Sequence, residues 1–156
     1  MSKLAAERAG LALVFRQMLE GWDIPAPEGM LKIKAESANR QIEGLPYSIA
    51  TNLAHAVLWQ DFWLDKLKGG KQKSGMEQWE HDFDVPEPNQ WNELRSRFVA
   101  GLKEAMDYCT QEEFKHQAAN DDAAVETLTR IATHGAYHIG QLNLLKRAMR
   151  SKGAIR

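Results

Sequence analysis

Thr133-His134-Gly135-Ala136-Tyr137-His138-Ile139-Gly140-Gln141 lies in the middle of an apolar-periodic run from about Ala123 to Arg150. Thr127, Arg130 or Ile131, His134, Tyr137 or His138, and Gln141 or Leu142 recur at three- and four-residue intervals, the period of one helix face. At 1.5 Å per residue the run makes a helix of roughly 40 Å. Asn120-Asp121-Asp122 supplies a capping residue and acidic side chains where that helix begins. Period-two alternation is nowhere sustained along the chain, so the fold expected is all-α.

Three more long helices are legible. Ser2 to Glu20 keeps Leu4, Leu11, Val14, Phe15 and Met18 to one side; Gly21 closes it, and Trp22-Asp23-Ile24-Pro25-Ala26-Pro27 cannot continue it. Ser48 is an N-cap for Ile49 to Lys68, which stops at Gly69-Gly70. Its inward positions include Leu53, His55 or Ala56, Trp59, Phe62 or Trp63, and Leu67. Asn89 is placed to cap a helix from Gln90 to about Tyr108, with Trp91, Leu94, Phe98, Leu102, Ala105 and Met106 inward. Between the first two, Glu28 to Leu45 reads as ambiguous, with Met30, Leu31, Ile33 and Ile42 available to pack a short helix. Residues 69 to 89 read as a long connection held by Met76, Trp79, Phe83 and Val85. The whole, 1–156, is expected to be one domain, a four-helix bundle with long crossover connections.

The chemistry concentrates on the last helix. His134 and His138 stand four residues apart, so their imidazoles share a face one turn apart and can grip one metal ion. With Gln141 they make a polar patch on an otherwise apolar stripe, where unpartnered groups cost a few kcal/mol each. Gly135 and Gly140 cost about 1 kcal/mol each mid-helix relative to alanine. A sequence tolerates that where a backbone or ligand must come close. Two readings stand at this point: a metal site, or core histidines satisfied by neighbouring carbonyls and waters. His55, on the inward stripe of the second helix, would supply a third imidazole. Asn52, one turn before it, can bond a ligand or join a local network. His81 and His116 lack helical spacing to the pair and read as surface residues.

Several function classes drop out. A net charge of −1 offers no field for nucleic acid, and the basic residues Lys146, Arg147, Arg150, Lys152 and Arg156 complement a helix C-terminus. No apolar run approaches 18 residues, and the start is too charged for a signal peptide, so no membrane partner and a cytoplasmic setting are expected. Cys109 is the one cysteine, which forbids an intrachain disulfide; near a helix end it reads as a small apolar filler. A zinc metalloprotease needs glutamate after the first histidine, where Gly135 stands. Neither a Gly-x-Ser-x-Gly elbow nor a phosphate-binding glycine loop is present.

Gly21-Trp22, then Tyr47-Ser48-Ile49-Ala50 leading into Asn52-Leu53-Ala54-His55 and Trp59, and finally Ala132 to Gln141 with its His-x-x-x-His-x-Gly-Gln close, resemble the DinB/YfiT-like superfamily. The resemblance spans nearly the whole chain in order, and the closing segment is its most specific part. It implies a four-helix bundle, often a homodimer, with a metal triad of one histidine from the second helix and two from the last. Those positions correspond here to His55, His134 and His138. Asn52, Tyr137 and Gln141 become candidates for the pocket.

Characterised members of that family include S-transferases that use low-molecular-weight thiols such as bacillithiol or mycothiol, and a mycothiol-dependent isomerase. The resemblance therefore implies metal-assisted attack of a thiolate on a small electrophilic substrate. A metal-activated water acting on a carbonyl is the competing chemistry. From a different class, the chain reads as a non-catalytic, metal-stabilised dimeric bundle or a small-molecule-binding module. The ion would be divalent; the affinity order favours nickel and zinc over iron and cobalt.

Overall fold

Ser2, Ser48 and Asn120 each turn a side-chain oxygen onto a backbone N–H of the following turn, and each starts a long helix. In the computed structural model, which describes residues 2–70 and 74–151, these helices are α1 (Lys3–Glu20), α4 (Ile49–Lys68) and α7 (Asp121–Ser151). Between them lie the short helices α2 (Pro27–Met30), α3 (Ala35–Asn39) and α5 (Gly75–Trp79), and the long α6 (Trp91–Thr110). No strand occurs among the described residues. Gly21 and Gly69 end α1 and α4 in the left-handed conformation, with φ of 75° and 73°.

The four long helices bury one continuous core. Phe15 and Met18 from α1, Leu53, Leu64 and Leu67 from α4, Phe98 and Leu102 from α6, and Leu128, Ile131 and Ile139 from α7 meet there. α4 packs on α6 and α7, and α1 on the same two. Two buried glycines allow close approach. A Cβ on Gly101 would fall 2.0 Å from Gln60 Nε2, whose amide donates to the Arg97 and Phe98 carbonyls. A Cβ on Gly135 would meet Leu102 Cδ2 at 3.1 Å, so its helix cost buys tight contact between α6 and α7. Gly140 is different: it is exposed and nothing lies within 4 Å of the Cβ position.

Some expectations need correction. Val14 is exposed, because the inward face of α1 runs through Ala12, Phe15 and Met18 and leaves Val14 to one side. Asn89 does not cap α6. A 3₁₀ turn, Pro88–Gln90, precedes it, and Glu87 and Gln90 exchange side-chain-to-backbone bonds in a capping box. The ambiguous stretch holds two short helices; Pro27 sits at the first position of α2, where its missing N–H costs nothing. In the 69–89 connection Met76 and Val85 are 80% and 77% exposed, so of its four large apolar residues only Phe83 anchors firmly. Of the basic residues near the end, Lys152 and Arg156 lie outside the described residues.

Candidate metal centre

α4 and α7 run antiparallel where they touch, and the ladder of contacts between them is polar at one level. Asn52 Nδ2 donates to Gln141 Oε1 at 2.8 Å, and Asn52 Oδ1 lies 3.0 Å from His138 Nδ1. One turn further along α4, His55 reaches the same level. Its Nε2 is 3.3 Å from His134 Nε2, which is 3.1 Å from His138 Nε2. The three ligating atoms all fall within 4.8 Å of one another. Thus the structure gathers His55, His134 and His138 at one point.

Hydrogen bonds on the far sides of the rings decide which nitrogens face inward. Asn52 offers an acceptor oxygen, so His138 Nδ1 carries the proton and its Nε2 keeps a lone pair. His55 Nδ1 lies 2.5 Å from Asp82 Oδ1, which likewise leaves the Nε2 lone pair of His55 pointing at the cluster. His134 Nε2 faces both lone pairs and can donate a single proton to only one. One lone-pair contact therefore stays uncompensated unless a cation sits between the rings. The spacing fits such an ion: metal–nitrogen bonds of about 2.0–2.1 Å separate the donors of a tetrahedron by roughly 3.3 Å. The distances of 3.1 and 3.3 Å match.

Electrostatics agree with neutral ligands. Burial, reinforced by His55, lowers His134 to about 4. Burial, reinforced by His134 and His55, lowers His138 to about 3. His55 is also lowered by burial, with Asp82 opposing. All three imidazoles are uncharged at neutral pH, the state that binds a metal.

Asp82 is the residue that sequence reasoning missed. It sits in the connection after α5, and its Oδ1 also accepts from Trp59 Nε1 at 2.9 Å. Phe83 follows with φ of 63°, the left-handed region that bulky residues avoid. That conformation lays the Phe83 ring flat on His55, centroids 4.0 Å apart, with Tyr47 stacked on its other face at 4.1 Å. A carboxylate oriented on a candidate histidine ligand is a recurrent partner in metal sites, and seeking one in the connections would have been the available signal. Replacing Asp82 with asparagine is expected to weaken metal affinity about 10- to 100-fold without unfolding the protein, as read by competition with a chromophoric chelator. An unchanged affinity would mean that Asp82 only tethers the connection.

The other sequence candidates fall as follows. Asn52 and Gln141 stand behind His138, supporting it. Tyr137 is 61% exposed and meets His138 edge-on at 5.1 Å. His81 is exposed and pairs with Asp84. His116 is not a surface side chain: it is 7% exposed, held by Asp121 at 3.0 Å and packed edge-on against Phe114. Neither joins the triad. Cys109 is buried, and burial pushes its thiol up to about 11, consistent with a packing role.

Beside the triad, a cavity of about 520 Å³ opens between α4, α5 and α7. His55 and His134 form part of its wall together with Trp59, Trp63 and Trp79.

A family model described as the DinB superfamily matches residues 28–142. The chain belongs to the DinB superfamily. The matched region contains all three histidines of the triad, and Asp82 as well. No curated protein and no solved structure matches the chain. DinB membership agrees with the all-helical fold and with a histidine cluster able to hold a metal. No described helix is long and apolar enough to cross a membrane.

Proposed function

We propose that this DinB protein is a metal-dependent enzyme built on a four-helix bundle, with His55, His134 and His138 as the ligands of a divalent transition ion. The reaction class that fits best is thiol S-transfer to a small electrophile, or a thiol-dependent isomerisation. One observation supports it above the rest: two of the three clustered histidines, His55 and His134, line a cavity. A closed fourth ligand would argue for a structural ion; an open position argues for chemistry. Zinc and nickel suit the imidazole set best. The homodimer implied by the family forms part of this proposal.

The protein's own groups have clear tasks. Asp82 and Asn52 hold His55 and His138 in the tautomer that turns Nε2 inward, and Gln141 fixes Asn52. Trp63 packs edge-on against His134 at 5.0 Å and limits its rotation. The Tyr47–Phe83 stack covers one face of the His55 ring. When bound, the ion would lower the pKa of a thiol at its open position, so that sulfur attacks as thiolate and its proton passes to solvent.

The test is conjugation of monobromobimane with bacillithiol, mycothiol and glutathione by metal-loaded, chelator-treated and His138→Ala protein. Acceleration with at least one thiol by the loaded protein alone is expected. No acceleration by a protein that carries its metal would leave a non-catalytic, metal-stabilised dimer or small-molecule-binding module.

A further inference from the structure

The triad cavity changes character along its length. Near His55 and His134 it is walled by the rings of Trp59, Trp63 and Trp79; at its other end stand Lys66 and Arg130. Arg130 is one turn from His134 on α7, about 6 Å along the axis. Lys66 lies eleven residues beyond His55 on α4 and faces the same hollow. A second hollow, of about 570 Å³, shares Trp63, Lys66 and Arg130, so these residues stand between two recesses.

Both cations there keep unfilled donors. The Lys66 ammonium lies 4.6 Å from the Phe62 ring centroid, with no carboxylate in ion-pair range among the described residues. Arg130 places Nε and Nη2 on Glu126 Oε1, at 3.2 and 2.6 Å, and Nη1 has no partner among the described residues. Glu126 offsets one of these two cations. Asp82, the one carboxylate among the described residues that lines this cavity, stands beside Trp59 and His55, the latter about three turns along α4 from Lys66. Two cationic side chains with donors to spare thus border an aromatic hollow, where a charge-assisted bond to an anion is stronger than in open water.

The geometry points to a small aromatic carboxylate as the ligand of this cavity, its ring among Trp59, Trp63 and Trp79 and its carboxylate on Lys66 and Arg130. A cation would meet like charge at that end, and a neutral ring would leave both donors unmatched. A volume near 520 Å³ suits a ligand of drug-like size or smaller. The inference rests on the proposed function only in placing the ligand's opposite end at the triad; the binding itself needs no metal.

The probe is 1-naphthylacetate, with 1-naphthylacetamide as its neutral counterpart of equal size. Calorimetry on the full chain, chelator-treated and zinc-loaded, is expected to show the acid binding about tenfold more tightly than the amide in both states. Lys66→Gln and Arg130→Gln should each weaken the acid about fivefold and leave the amide unchanged; both side chains are partly exposed, so folding is not at risk. The indole N–H resonances of Trp59, Trp63 and Trp79 should move on titration. Equal affinity for acid and amide, indifference to both substitutions, or no binding would overturn the inference. Carboxylate binding without thiol conjugation would sink the proposed reaction alone, and conjugation without carboxylate binding would sink this inference alone.

Discussion

His138→Ala protein is expected to take up no stoichiometric metal and to lose the rise in melting temperature that zinc or nickel gives the parent. His138 is 2% exposed and points Nε2 into the cluster, so no neighbouring side chain can take its place. Binding to the native state alone stabilises it by RT ln(1 + [L]/Kd), about 4 kcal/mol at a thousandfold excess over Kd. For a domain of this size that is on the order of 10 °C in melting temperature. Differential scanning fluorimetry with and without added metal reads the effect, and elemental mass spectrometry reads occupancy. His134→Ala should behave in the same way. His81→Ala and His116→Ala should retain metal, since neither side chain approaches the triad. Full occupancy in the His138→Ala protein would remove the triad from consideration.

Acid should destabilise the metal-free protein well before its carboxylates titrate. In the unfolded chain His134 and His138 titrate near 6.5; folded, they are lowered to about 4 and about 3. Between those values the unfolded state binds protons that the native state refuses, so stability falls as pH falls. The contribution is fully present above about pH 6.5 and is lost progressively down through pH 4. Each histidine in that window gives a slope of about 1.4 kcal/mol per pH unit, so the pair gives nearly 3. Urea denaturation of chelator-treated protein at a series of pH values measures it. His138→Gln should flatten the slope by about half. A profile that stays level from pH 7 to 4.5 would show that water reaches the cluster freely and that burial does not control it.

The long helices were legible because each carries both a period and a stop. Ser2 with Gly21, Ser48 with Gly69, and Asn120 before the last run mark ends that coincide with the observed caps. The histidine pair was legible for the same reason, since i,i+4 spacing on a helix is itself a distance. His55 could be placed on the inward side of α4, but its meeting with His134 depends on how two helices pack, which periodicity leaves undetermined. Asp82 and Phe83 were illegible. They reach the site through the path of a connection, where sequence spacing carries no geometry, and through a positive φ at a phenylalanine that no residue preference announces. The start of α6 was misassigned because Asn89 looks like a cap, while Glu87, two residues before it, and Gln90, one after, make the reciprocal bonds.

Gly135 and Gly140 illustrate the limit of a local rule. Both are mid-helix and both cost helix stability, yet only Gly135 repays it by close packing against Leu102. Composition alone could not separate them, because the difference lies in what stands opposite each Cβ position.

The most direct test is X-ray absorption spectroscopy of the zinc- or nickel-loaded protein before any thiol is added. Three imidazole nitrogens at about 2.0–2.1 Å with one or more oxygen neighbours are predicted, and a sulfur scatterer should appear when the productive thiol is supplied. Fewer than three imidazoles around the ion would contradict the site, and so would a spectrum left unchanged by His55→Ala.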